Sequence, residues 1–165
     1  MQSQTPAIPY QNKVSFYKEL HGEIRGMAEK EWFVNLANAS ALLKQHLPQI
    51  NWVGFYLNHK NELLLSSFQG LPACTRIAFG KGVCGTAAQS KSTQLVDDVD
   101  QFPGHIVCDS ASRSEIVVPM LLGDRLLGVL DVDAPVLARF TEEDRKGLEQ
   151  FVQILIESTD WPASF

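Results

Sequence analysis

The sequence lacks the features that mark several large classes of protein. Its 165 residues contain no apolar run near the roughly 18 residues of a membrane span. Residues Met1–Pro6 have neither the charged nor the apolar region of a secretory signal, so we expect a cytoplasmic protein. The glycine-rich phosphate loops and the serine-hydrolase and zinc-protease motifs are also missing. Without these motifs, the sequence indicates neither phosphate binding by a glycine-rich loop nor serine-hydrolase catalysis.

Positive charge is also scarce. Lys and Arg number 14 against 19 Asp and Glu, which gives a formal net charge of −5. Nucleic acids and anionic membranes attract a positive protein field, so neither is an expected partner. Hydrophobic residues make up 45% and charged residues 20%, which is ordinary for a globular domain. The length predicts a single domain with a core large enough to fold unaided.

Apolar residues recur first with helical spacing and then with strand spacing. Two apolar stripes within Phe16–Leu47 predict two helices, the second ending before Pro48. From Ile50 onward, short apolar segments separated by turn residues predict antiparallel strands, with one short helix at Val83–Ser90. Thr141, followed by three acidic residues, predicts the start of a closing helix. The fold class is therefore α+β, with helices on one face of an antiparallel sheet.

Cysteine is rare, and its spacing is unusual. Cys74, Cys84 and Cys108 are 10 and 24 residues apart, and none belongs to a C-x-x-C pair. Three small buried apolar groups are one interpretation, and a zinc site completed by His105 is another. Cys84, however, lies between glycines at the start of the short helix, where the helix dipole favours a thiolate. Redox-active thiols are the third interpretation.

Three carboxylates lie near the ends of two predicted strands. Asp131 and Asp133 share one strand face, because residues two apart point the same way. A hairpin loop of Gly123–Arg125 places Glu115 opposite Asp133, whereas a two-residue loop would turn Glu115 to the other face. Acids brought this close favour a bound cation or a retained proton. The alternative is that they are solvated strand ends.

Aromatic residues and one histidine complete the candidate site. Trp52 and Tyr56 share one face of a strand, where they either wall a small apolar pocket or belong to the sheet core. His105 lies three residues before Cys108 and is a candidate to modulate that thiol.

Several segments together resemble the free methionine-(R)-sulfoxide reductases, which are enzymes made of a single GAF domain. The resemblance covers Phe16–Glu157 and rests on the three cysteines and on the segments INWVGFYL, GKGVCGTAA, HIVCDSASRSEIVVP and LLGVLDVDAP. It implies one GAF domain over residues 1–165, with a core of about 14–158. It also implies a six-stranded antiparallel sheet with helices on one face and the ligand pocket on the other.

The resemblance further implies an activity and a set of roles. The activity is reduction of free methionine (R)-sulfoxide by a homodimer that thioredoxin recycles, with no cofactor and no metal. Cys108 corresponds to the nucleophile, and Cys74 and Cys84 to the other family cysteines. One of these two resolves the intermediate, and Cys74 is favoured. The corresponding substrate-binding residues are Glu115, Asp131 and Asp133, with Glu115 also a candidate acid, and Trp52 and Tyr56 as the pocket wall.

The residue types suit this chemistry. A thiolate attacks the sulfoxide sulfur, and a crowded, protonated carboxylic acid supplies the proton that the departing oxygen needs. Carboxylates also pair with the ammonium of a free amino acid, which peptide-bound methionine lacks. A second thiol then condenses with the sulfenic acid, and a third is able to relay the disulfide to a more exposed place. A non-catalytic GAF sensor of a small ligand and a thiol-based peroxide sensor remain alternatives.

Overall fold

The computed structural model describes residues 9–165, so the segment inspected for a secretory signal lies outside the described residues. Helices come first and last in the chain, and strands occupy its middle. Between residues 9 and 165 no helix has both the length and the apolar composition that crossing a membrane requires. In chain order the elements are α1 (Lys13–Met27), α2 (Trp32–His46), β1 (Trp52–His59), β2 (Glu62–Gln69), β3 (Arg76–Ala78), α3 (Gly82–Ser90), β4 (Gln94–Val96), a 3-10 turn (Val99–Gln101), β5 (Ser114–Leu122), β6 (Arg125–Ala134) and α4 (Glu142–Ser158).

The six strands form one sheet with the order β3-β2-β1-β6-β5-β4. Every neighbouring pair of strands is antiparallel. The long strands β1, β6 and β5 lie in the middle and the short strands β3 and β4 lie at the edges. The predicted α+β class and the six-stranded antiparallel sheet are confirmed.

The helix ends follow from local sequence. Asn12 caps α1 by accepting a hydrogen bond from the Ser15 backbone N–H at 3.1 Å. Thr141 and Asp144 form a reciprocal capping box at the start of α4, as the acidic cluster after Thr141 predicts for a helix start. Helix α2 ends at His46, two residues before Pro48.

Each face of the sheet packs against different elements. Helices α1, α2 and α4 cover one face and bury a continuous apolar cluster with the strands, including Phe16, Leu36, Ile116, Leu130 and Phe151. Helix α3 packs on the opposite face, where a smaller cluster contains the aromatic residues of β1. The period-two alternation of β-strands produces this separation, because successive side chains of one strand point to opposite faces.

The hairpin between β5 and β6 differs from the prediction. Its loop has two residues, Gly123 and Asp124, so the expected three-residue loop was wrong. A β-bulge between Met120 and Leu121 shifts the pairing by one residue. The bulge restores the predicted register, and Glu115 pairs with Asp133. Glu115 and Asp133 therefore lie on one face of the sheet because of the bulge, which the sequence analysis did not predict.

The segment after α4 packs back onto the helices. The Trp161 indole N–H donates to the Ile156 carbonyl at 3.1 Å, and the Phe165 ring centroid lies 5.3 Å from that of Trp32. The tail thereby extends the packed core beyond the last helix.

Candidate active site

A pocket opens on the sheet face opposite α1, α2 and α4. Its walls come from β1, β5, β6, the first turn of α3, and the loop that joins β4 to β5. The pocket combines apolar walls with buried acids. All the predicted site residues except Cys74 line it, and the other lining residues include Ile77, Lys81, Val83, His105, Ile106, Asp109 and Ser112.

Aromatic rings form one wall of the pocket, where Trp52 and Tyr56 both lie. Trp52 is stacked between Tyr56 and Phe68, with ring centroids 6.0 and 5.4 Å apart. Its indole N–H donates to the Leu71 carbonyl at 3.1 Å. Gly54 makes this stack possible, because a Cβ atom there would lie 2.7 Å from the Trp52 ring. The wall is therefore rigid as well as apolar.

Two of the three cysteines are joined by a disulfide. Cys74, between β2 and β3, is bonded to Cys108, in the loop before β5, with Cα atoms 5.5 Å apart. Cys108 lines the pocket, and the hydroxyl of Tyr56 donates to the Cys74 carbonyl at 2.9 Å. Because Cys74 and Cys108 bond each other, the alternative of a zinc site made by all three cysteines and His105 was wrong for this state.

The third thiol lies on the pocket floor. Cys84 is buried in the first turn of α3, with its sulfur 3.9 Å from Glu115 Oε1. Burial raises the pKa of Cys84 well above its ordinary value, and the charges of Asp131 and Glu115 raise it further. The expectation that the helix dipole favours a Cys84 thiolate was therefore wrong, because desolvation and nearby acids outweigh the dipole.

The three acids gather on the same floor. Glu115 and Asp131 are each only 6% exposed, so they are not solvated strand ends. Burial raises the pKa of Glu115 well above its ordinary value, and the charges of Asp131 and Asp133 add to this. Burial also raises the pKa of Asp131, to about 6, and that of Asp133 well above its usual range. The pocket floor therefore favours the protonated forms of its acids more than solvent does.

His105 lies beside an acid of the pocket floor. Its Nε2 lies 3.8 Å from Glu115 Oε2, whereas the sequence argument paired His105 with Cys108. Burial lowers the pKa of His105, which favours the neutral imidazole. The spacing along the chain gave no signal for this contact, because eight loop residues separate His105 from β5.

Asn51 is a site residue that the sequence analysis missed. Its side-chain amide donates to Asp109 Oδ2 at 2.9 Å and to Ser112 Oγ at 3.0 Å. These bonds fix the loop that carries Cys108 to the start of β1. A polar residue directly before the apolar strand was the only signal available.

Comparison with known proteins identifies the class. The GAF domain family matches residues 39–155, and the chain therefore belongs to the GAF domain family.

Relatives extend the similarity over nearly the whole chain. The free methionine-R-sulfoxide reductase of Escherichia coli is 45% identical over 93% of this chain and 96% of its own length. The enzyme of the same name from Saccharomyces cerevisiae is 42% identical, covering 89% of this chain and 87% of its own. The X-ray structure of free methionine-R-sulfoxide reductase from Neisseria meningitidis in complex with its substrate superposes with a TM-score of 0.88 and 43% identity, covering 96% of this chain and 95% of that one.

Proposed function

We propose that this protein reduces free methionine (R)-sulfoxide to methionine with its own thiols. The observation that carries the proposal is the Cys74–Cys108 disulfide, one sulfur of which belongs to a residue lining a pocket floored by buried acids. Such a disulfide is the oxidised end state of a two-thiol reduction. The relatives named as free methionine-R-sulfoxide reductases support the same substrate.

The pocket suits a free amino acid better than a peptide. We propose that Asp131, with a pKa of about 6, is ionised at neutral pH and pairs with the substrate ammonium. Asp133 lies opposite Glu115 on the neighbouring strand and completes the acidic floor. Trp52 and Tyr56 offer an apolar surface to the methyl and the sulfur. A peptide-bound methionine sulfoxide has no ammonium, so it leaves the buried acids unpaired.

The first chemical step transfers oxygen from substrate to protein. The Cys108 thiolate attacks the sulfoxide sulfur, the sulfur–oxygen bond of the substrate breaks, and methionine leaves while Cys108 becomes a sulfenic acid. The sulfur of the substrate gains two electrons, and Cys108 loses two. The departing oxygen requires a proton, which we assign to Glu115, because burial and the charges of Asp131 and Asp133 raise its pKa and favour its protonated form.

The second step forms the disulfide that the structure contains. The Cys74 thiol attacks the Cys108 sulfenic sulfur and releases water, which leaves the Cys74–Cys108 bond. We propose that thioredoxin then reduces this disulfide by dithiol exchange, becoming oxidised in turn. Cys84 is buried and lies outside the disulfide, so it is poorly placed to relay the disulfide to a more exposed position.

Two further properties are proposed from the family resemblance. The chain acts as a homodimer, which light scattering on the purified protein tests by its molar mass. It works in the cytoplasm, in keeping with its net charge of −5 and its need for reduced thiols.

Replacing the proposed nucleophile tests the function. We expect Cys108→Ser to abolish methionine formation from the R epimer while thermal unfolding stays close to that of the parent. Ser110→Ala, in the same loop, is the matched control and retains activity. Methionine production by Cys108→Ser would contradict the assignment, as would equal turnover of free and N-acetylated methionine sulfoxide.

The rate of thiol oxidation by each substrate distinguishes a reductase from a peroxide sensor. With the reduced protein, free methionine (R)-sulfoxide should consume thiols faster than an equal concentration of hydrogen peroxide. The reverse order would favour a peroxide sensor, and thiols unchanged by methionine sulfoxide would favour a non-catalytic ligand sensor.

A further inference from the structure

We propose that Cys84, Glu115 and Asp131 form a binding site for a single zinc ion on the pocket floor. The Cys84 sulfur and one oxygen from each acid all lie within 4.8 Å of one another, and all three residues are buried. They come from three elements, α3, β5 and β6, which hold them in place without a flexible loop. This inference goes beyond the reductase chemistry, because Cys84 has no part in the Cys74–Cys108 disulfide.

The spacing between the Cys84 sulfur and Glu115 is close to that of tetrahedral zinc ligands. Zinc bonds of 2.0–2.3 Å place neighbouring ligand atoms about 3.3–3.8 Å apart. The Cys84 sulfur is 3.9 Å from Glu115 Oε1, so the two side chains need to move by only a few tenths of an ångström.

An independent observation points to a missing ligand. Asp131 is 6% exposed, yet its Oδ1 is buried without any hydrogen-bond partner among the described residues. Buried carboxylate oxygens are normally paired, because leaving one unpaired costs free energy. Glu115 and Cys84 are direct neighbours of this carboxyl group, so a cation bound by the three residues would give the Asp131 carboxylate the partner it lacks.

The donor set selects the metal. A thiolate beside carboxylates favours zinc over magnesium or calcium, which prefer oxygen ligands alone. His105 offers a further donor, with its Nε2 at 3.8 Å from Glu115 Oε2, and the neutral imidazole that its lowered pKa favours is the form that binds metals. Zinc binding displaces the Cys84 thiol proton to solvent, so affinity rises with pH.

Zinc and substrate should exclude each other. Glu115 and Asp131 are the acids we assign to substrate, so the inhibitory consequence rests on the proposed function. The binding itself does not, because it needs neither turnover nor the Cys108 thiol.

The binding test uses the metal-free, oxidised protein, in which Cys84 is the only free thiol. Titration with Zn²⁺ in a calorimeter should show one site per chain, with protons released in proportion to buffer ionisation heat. Cys84→Ser and Asp131→Asn should each weaken binding by at least about tenfold. Ser90→Ala, exposed at the far end of the helix that carries Cys84, is the matched control and should change affinity by less than about threefold. Co²⁺ should give a sulfur-to-metal charge-transfer band that Cys84→Ser removes.

Several results would overturn the zinc site: no binding of Zn²⁺, equal affinity in Cys84→Ser, or equal binding of Mg²⁺. Kinetics separate this inference from the reductase proposal. If zinc binds as described but the protein lacks reductase activity, the proposed function fails and the metal site stands. If the protein is active and zinc neither binds nor raises the KM for the sulfoxide, the metal site fails alone.

Discussion

The two faces of the sheet are built from the same strands but have opposite characters. On β5, Ile116 and Val118 point to the helix side and join its apolar cluster, whereas Glu115 points into the pocket. On β6, Leu130 and Val132 face the helices and Asp131 faces the pocket. Strand alternation thus lets one hairpin supply both apolar packing for the helix side and the buried acids of the pocket floor.

A buried acid on each side makes the comparison sharper. Asp144, at the start of α4, is fully buried and bonded by Lys13 at 2.7 Å and by Tyr17 at 2.8 Å. Burial raises the pKa of Asp144, but its hydrogen bonds lower it below its ordinary value overall. Asp131, equally enclosed, has a raised pKa and an oxygen without a partner. The helix side satisfies its acid, and the pocket side leaves acids free for a ligand.

The largest effect is expected on the pocket side of β5. Glu115→Gln keeps the size of the side chain but removes the proposed proton donor, so kcat/KM for the R-sulfoxide should fall by about 10²–10⁴-fold. Steady-state methionine formation measures this, with a chemical dithiol as reductant. A loss below tenfold would show that Glu115 is not the acid.

The next largest effect is expected at Ile116, which follows Glu115 in β5 and points to the helix side of the sheet. Ile116→Ala creates a cavity under the helices and should lower the free energy of unfolding by about 2–5 kcal/mol. Urea titration measures the loss, and the folded variant should keep its kcat/KM within about threefold. If Ile116→Ala lost activity as Glu115→Gln does, the two faces would not be separable.

A smaller effect concerns pH. A carboxyl whose pKa is higher in the folded protein holds its proton more tightly there, so the unfolding free energy falls as pH rises. For Asp131 the fall runs from the ordinary value of 3.8 to about 6, and the raised pKa of Glu115 extends it to higher pH. Glu115→Gln removes one of these acids, so it should flatten the decline and leave the variant more stable than the parent at pH 8. Denaturant titrations at several pH values measure both, and an unchanged slope would contradict the raised pKa.

The sequence predicted most of the fold, because its signals are local. Helical stripes, the Pro48 stop and the acidic start of α4 each depend on residues close together in the chain. The Glu115–Asp133 pairing was correct although the loop was wrong. A bulge at Met120 and Leu121 depends on how the strand packs, which no short pattern of residues records.

The candidate site was predicted less completely, because burial and long-range contacts decide it. The dipole argument for Cys84 considered its own helix. Burial in the fold raises the pKa of this thiol instead, and the charges of Asp131 and Glu115, from strands 47 and 31 residues away, raise it further. The contacts of His105 with Glu115 and of Asn51 with Asp109 likewise join distant segments. Local sequence patterns did not place the cysteines and the acids in one site. Only the resemblance to a known family predicted that they lie together.

The most direct test is one turnover of the reduced protein without any reductant. One equivalent of free methionine (R)-sulfoxide should yield one methionine per chain, lower the free thiols from three to one, and leave a disulfide that peptide mapping assigns to Cys74 and Cys108. Methionine formed while all three thiols remain free, or a disulfide that includes Cys84 in place of Cys74, would contradict the proposed mechanism.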